Sequence, residues 1–192
     1  MAQPLESLTK DHFIWGNLLE KRTITLFRGV DAALARETIE ALLYLDDHSS
    51  DKPIYLYINS PGGEVNSGFA IYDTLRFIKS EVKIVCSGLC ASIATIILLG
   101  ANKENRLSLP NSRFLIHQPL LRGGIQGQAT DIQIHSEQIL KTRSKINELL
   151  AQECGQPLDR VSADTERDYW MSANESLKYG LISKIVKDKS EL

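Results

Sequence analysis

The alternation of apolar and polar positions is clearest between residues 53 and 60. Ile54, Leu56 and Ile58 fall on one face and Tyr55 and Tyr57 on the other, and Pro61-Gly62-Gly63 ends the run, which predicts a strand. Leu34, Ile39, Leu42 and Leu43 recur at helical intervals, so a helix precedes this strand and stops at the polar break Asp46-Asp47-His48-Ser49-Ser50. Gly68, Ile71, Tyr72, Leu75 and Ile78 predict a second amphipathic helix. Residues 82–86 read as a buried strand, 90–99 as a helix apolar on every side, and 113–117 as a further strand. Helices and strands in alternation favour an α/β fold with a mainly parallel sheet.

The pattern changes after Pro119. Residues 122–128 hold three glycines, and then neither glycine nor proline occurs until Gly155. Ile132, Ile139 and Ile146 recur every seven residues and are joined by Leu149 and Leu150, which predicts one long helix with a narrow apolar seam. Two readings of that seam stay open: an ordinary surface helix, or a helix that leaves the globular body and packs on another copy of the chain. Ser172 with Glu175 predicts a capping box, Gly180 closes that helix, and 181–186 reads as a last strand.

Composition narrows the function classes. At 192 residues the chain is long enough for one domain with a sizeable core, and 43% hydrophobic with 24% charged residues argues against disorder. A net charge of −2 argues against nucleic acid or an anionic membrane as the main partner. The three cysteines, Cys86, Cys90 and Cys154, lack paired metal-ligand spacing and read as small core residues in a reducing compartment, with no metal expected. The first ten residues lack the features of a secretory signal, and the run 90–101 is too short to span a bilayer, so a cytoplasmic protein is expected.

Candidate chemistry centres on Ser92, in Ser87-Gly88-Leu89-Cys90-Ala91-Ser92-Ile93-Ala94. The serine stands where a strand gives way to an apolar helix, a position that holds a nucleophilic hydroxyl by a sharp turn. A serine hydroxyl needs a neutral imidazole to take its proton and a carboxylate to orient that imidazole. His117, closing the strand 113–116 ahead of Pro119, is the best base; His12 lies in an irregular stretch, His48 in a polar turn and His135 on the long helix. For the acid, Asp164 and Asp168 are equal candidates by spacing. Ser60-Pro61-Gly62-Gly63 reads as a turn whose amides point into a pocket, as an anion nest or oxyanion hole.

Together these residues closely resemble the ClpP family of self-compartmentalising serine proteases. The resemblance runs from Ile54 to Val186 through Tyr55-Leu56-Tyr57-Ile58-Asn59-Ser60-Pro61-Gly62-Gly63, Ile71-Tyr72-Asp73-Thr74, Leu109-Pro110-Asn111-Ser112-Arg113, Ile116-His117-Gln118-Pro119, Gly127-Gln128-Ala129-Thr130-Asp131-Ile132 and Asp164-Thr165-Glu166-Arg167-Asp168. It implies a single ClpP-like domain over 1–192, with an axial segment in 1–20 and a handle in 122–155. The implied fold is the α/β, ClpP/crotonase-like one: repeated β-β-α units, a parallel sheet core and a protruding handle helix. It implies Ser92 as nucleophile, His117 as general base and acid, Asp168 as the orienting carboxylate, and the Gly63 and Ile93 amides as the oxyanion hole. Gly123, Gly124, Ile125 and Gln126 would form the strand that holds bound peptide by main-chain hydrogen bonds.

The same resemblance implies hydrolysis of unfolded polypeptide without cofactor, in two stacked seven-membered rings. A ClpX-, ClpA- or ClpC-type ATPase would feed the chamber, docking at Tyr55, Tyr57 and Phe77. Three departures qualify it. Ile93 and Thr95 stand where the family has methionine and a small residue, implying a narrower, stiffer first specificity pocket. Ser87 replaces an apolar docking residue, and residues 12–19 lack the family's tyrosine-serine-arginine run. A divergent paralogue that needs a second ClpP-type subunit is the expectation. A catalytically weak ring subunit and, distantly, a crotonase-type acyl-CoA enzyme are the alternatives.

Overall fold

A computed structural model describes residues 10–120 and 127–192, with the side chains of 10–12 excepted. Five strands form a parallel sheet in the order β1 (Thr23–Leu26), β2 (Ile54–Ser60), β3 (Val82–Ala91), β4 (Arg106–Ser108), β7 (Lys184–Ile185). β5 (Arg113–Ile116) pairs in parallel with the far end of β3, and β6 (Tyr169–Ser172) runs antiparallel to β5. Helices α1 (Lys10–Glu20), α2 (Ala32–His48), α3 (Val65–Phe77), α4 (Ile93–Leu99), α5 (Ala129–Cys154), α6 (Leu158–Asp164) and α7 (Ala173–Tyr179) complete the mixed α/β fold.

The alternation in β2 has the expected outcome. Ile54, Leu56 and Ile58 are fully buried, while Tyr55 and Tyr57 are half-buried on the opposite face. Parallel strands are covered on both faces, and the apolar run of β3 meets that need. β3 is longer than the strand read at 82–86, because Gly88 lets it bend instead of end. Gly88 adopts φ 103°, Leu89 N–H donates to Asn59 Oδ1 at 3.0 Å, and Gly88 N–H donates to Ser112 Oγ at 3.3 Å. Beyond the bend, Leu89–Ala91 leave β4 and pair with β5. The helix read over 90–99 therefore starts only at Ile93.

Five elements were not legible, the four-residue strand β6 among them. α1 covers the stretch taken as irregular, His12 included, and β1, β4 and α6 are too short to show a period. The last strand shrinks from 181–186 to Lys184–Ile185. The Ser172–Glu175 capping box forms, and Gly180 ends α7 in the left-handed conformation. Gly155 ends α5 in the same way.

The long helix divides in two. Ile146, Asn147, Leu150 and Cys154 are buried against the body. In contrast, Ile132, Ile134 and Leu140 are 39%, 51% and 62% exposed. The root of α5 is fastened by Arg106, which is fully buried. Its guanidinium donates to Leu99 O (3.2 Å) and Ala101 O (2.9 Å) at the end of α4, and to Glu153 O (3.2 Å) while pairing with the Glu153 carboxylate. The three cysteines are buried free thiols. Burial pushes the Cys154 thiol up to about 12 and the Cys86 thiol well above its ordinary value, so neither supplies a thiolate near neutrality. Among the described residues, no helix is long and apolar enough to cross a membrane.

Candidate active site

Ser92 is the hinge between β3 and α4. Its backbone sits at φ 57°, ψ −129°, a region that L-residues rarely adopt and that persists only where neighbours fix it. Those neighbours are identifiable. Ser92 N–H donates to Leu115 O at 2.8 Å, which continues the β3–β5 pairing one residue past the strand. Gly62 lies so close that a Cβ there would come within 2.7 Å of Ser92 Cβ and 2.5 Å of Ala91 O. Behind the serine, a Cβ on Gly68 would strike the Ile93 side chain at 2.1 Å, so α3 and α4 touch only because residue 68 is glycine.

His117 directly follows β5, and β6 returns antiparallel with Ile116 opposite Tyr169. One more step of that register sets His117 opposite Asp168. The side chains meet there: His117 Nε2 lies 2.8 Å from Ser92 Oγ, and His117 Nδ1 lies 3.2 Å from Asp168 Oδ1. A carboxylate can only accept, so Nδ1 carries the proton and Nε2 is left to accept from the serine hydroxyl. The His117 side chain is 14% exposed and that of Asp168 61%.

The choice between the two aspartates is resolved by partners. Asp164 accepts from Tyr179 Oη at 3.1 Å and faces Arg160 Nε at 3.6 Å. The Tyr179 hydroxyl is held well above its ordinary value, first by burial and then by the Asp164 charge. Asp164 thus belongs to the α6–α7 contact and Asp168 to the histidine.

The segment carrying Asp168 is held by residues that local pattern did not mark. Gln118 N–H donates to Thr165 O (2.7 Å) and Gln118 Nε2 to Glu166 O (2.9 Å). Thr165 Oγ1 bonds Asn147 Oδ1 at 3.0 Å, and Arg143 pairs with Glu166 at 2.6 Å. Each of these contacts joins residues distant in the chain. The available signal was Asn147, a polar residue inside the apolar seam of α5.

The turn after β2 is set by Val30. Val30 N–H donates to Gly62 O and Glu64 N–H donates to Val30 O, both at 2.8 Å. In a parallel bridge of this kind the intervening Gly63 turns its own N–H to the opposite side. A Cβ on Gly63 would lie 2.1 Å from Val30 O, so glycine is required there. Beside Ser92 lies a pocket lined by Ile93, Thr95, Ile116, His117, Ile146 and Leu150 among others, with about 20 Å³ of room, enough for one water. Thr95 stiffens it, since its hydroxyl donates to Ser92 O at 2.7 Å.

A family model for Clp proteases matches residues 8–189 of this sequence. The chain belongs to the Clp protease family. The match spans nearly the whole chain, α1 included, and gives no support to an acyl-CoA enzyme.

Two expected Clp features fall differently on the structure. Tyr57 packs on a small apolar cluster of Val85, Leu107 and Val186 with Leu109 and Leu192, separate from the main core. The Tyr55 ring takes Lys83 Nζ at 5.8 Å. Phe77, at the end of α3, is 81% exposed and stands outside that cluster. Reasoning from pattern missed the cluster because its members come from four separate segments. The expected peptide-binding residues Gly123, Gly124, Ile125 and Gln126 lie outside the described residues.

Proposed function

We propose that this chain is a serine endopeptidase of the Clp type, with Ser92 as nucleophile, His117 as base and then acid, and Asp168 as orienter. The observation that carries this reading is the unbroken relay from Ser92 Oγ to His117 (2.8 Å) and on to Asp168 (3.2 Å). In the reaction, Ser92 Oγ attacks the scissile carbonyl carbon while its proton passes to His117 Nε2. Asp168 stabilises the imidazolium through Nδ1–H. The amides of Gly63 and Ile93 take the negative charge that develops on the carbonyl oxygen, a contribution of about 10²–10³ in rate per donor. His117 then gives its proton to the leaving amine, and a water activated by the same imidazole releases the acyl group.

The substrate is unfolded polypeptide, which membership of the Clp protease family supports; the pocket beside Ser92, with room for about one water, takes only a small side chain. The whole chain acts as one domain. The outward turns of α5 serve as the handle joining two rings, since their apolar residues are exposed in the single chain. The Tyr57 cluster, together with Tyr55 and the exposed Phe77, forms the docking surface for a Clp-type ATPase of ClpX, ClpA or ClpC kind. Cytoplasmic residence fits three buried free thiols.

A second reading, a ring subunit with weak cleavage that depends on another ClpP-type paralogue, draws on the tight pocket and the 61% exposure of the Asp168 side chain. Fluorophosphonate treatment of the purified, assembled protein separates the two. A stoichiometric adduct on Ser92 by peptide mass, absent in Ser92→Ala, supports the peptidase; an unlabelled Ser92 in assembled rings supports the weak subunit.

A further inference from the structure

The cleft that receives substrate continues beyond the small pocket beside Ser92. A second cavity of about 390 Å³ adjoins it, sharing Val65 and Pro119 as walls, and lies between the start of α3 and the outward part of α5. Its remaining walls are neutral side chains such as Gln138, Ile139 and Thr142, together with His135 and Glu64. Among the described residues lining it, Glu64 is the carboxylate, and neither lysine nor arginine faces it.

Glu64 is placed for a role in recognition. It stands at the N-cap position of α3, yet its side chain does not cap the helix backbone. Instead Oε2 accepts from Ser67 Oγ at 2.9 Å, which fixes the carboxylate while leaving further lone pairs open. Glu64 is exposed, and it directly follows Gly63, the residue whose amide faces the reacting carbonyl in the proposed mechanism. Consecutive Cα atoms are about 3.8 Å apart, so the Glu64 backbone stands directly beside the proposed oxyanion donor, and its side chain lines the cavity that adjoins the Ser92 pocket.

We infer that Glu64 is a specificity-determining residue that selects polypeptides carrying a lysine or arginine next to the cleaved residue. This rests on the peptidase reading given above. Glu64 makes a charge pair with the cationic side chain of the bound chain and repels an acidic one at the same position. A pair open to solvent on one side supports a preference of about two- to fivefold, which shrinks as salt is raised.

The test uses the full-length assembled protein and three fluorescence-quenched peptides identical except for lysine, norleucine or glutamate beside the scissile residue, tried on each side in turn. In the wild type, kcat/KM is expected to fall in the order lysine, norleucine, glutamate on one side of the bond. The lysine-to-norleucine ratio is expected to drop to about one in Glu64→Gln, and the order to invert in Glu64→Lys. A wild-type ratio of one on both sides, or a ratio unchanged in Glu64→Gln, overturns the inference. Binding of the same peptides to Ser92→Ala, by fluorescence anisotropy, separates this from the mechanism. If the wild type cleaves no peptide, the peptidase reading fails and this inference with it; if it cleaves them but Ser92→Ala shows no preference for the lysine peptide, the inference alone falls.

Discussion

The surroundings of Ser92 and the outward turns of α5 are opposite solutions to the placement of apolar residues. Around Ser92 every residue of α4 is buried, and the serine's unusual backbone is held by Leu115, Gly62 and Gly68 from other elements. Along residues 129–145 of α5 the same kind of aliphatic residue faces solvent in the single chain. One region is complete within the chain. The other leaves leucine and isoleucine side chains exposed, as the handle proposed above requires.

The largest effect should come from the self-contained region. Ser92→Ala is expected to lower kcat/KM on a fluorogenic peptide by about 10⁴-fold or more, with thermal unfolding unchanged, measured by kinetics and calorimetry side by side. Next, Asp168→Asn should cost about 10³–10⁴-fold because the imidazole loses its preferred tautomer, while Asp164→Asn stays within about twofold of wild type. Equal losses in the two aspartate variants would dissolve the distinction drawn from their partners.

The contrast within α5 is tested by truncation at its two ends. Leu150→Ala, in the buried root, is expected to destabilise the chain by about 2–5 kcal/mol in urea unfolding. Ile132→Ala, in the exposed part, should change the stability of the unassembled chain by less than about 0.5 kcal/mol. Between these lies assembly: Ile139→Asp should halve the particle mass in light scattering by separating stacked rings while leaving single rings intact. A particle mass unaffected by that substitution would show that the seam is not the contact between rings.

Much of this organisation was legible in the sequence because it rests on local pattern. The faces of β2, the extent of α5 up to Gly155 and the Ser172–Glu175 cap each follow from residues a few positions apart. Ser92 could be singled out for the same reason, since it ends an apolar strand and starts an apolar helix. What stayed hidden depends on contacts between distant segments. The bend of β3 needs Asn59 and Ser112, and the choice of Asp168 over Asp164 needs Tyr179 and the β5–β6 register. Elements as short as β4 and α6 carry too few residues to show any period, and tertiary packing alone makes them.

The buried Arg106 guanidinium has a mechanical meaning. It donates to Leu99 O at the end of α4 and to Ala101 O just beyond it and, with the same planar group, to Glu153 O at the buried root of α5. The two therefore share a single rivet, far from both the hydroxyl and the outer tip. A substitution that removes this one guanidinium strips both helices of the same fastening at once.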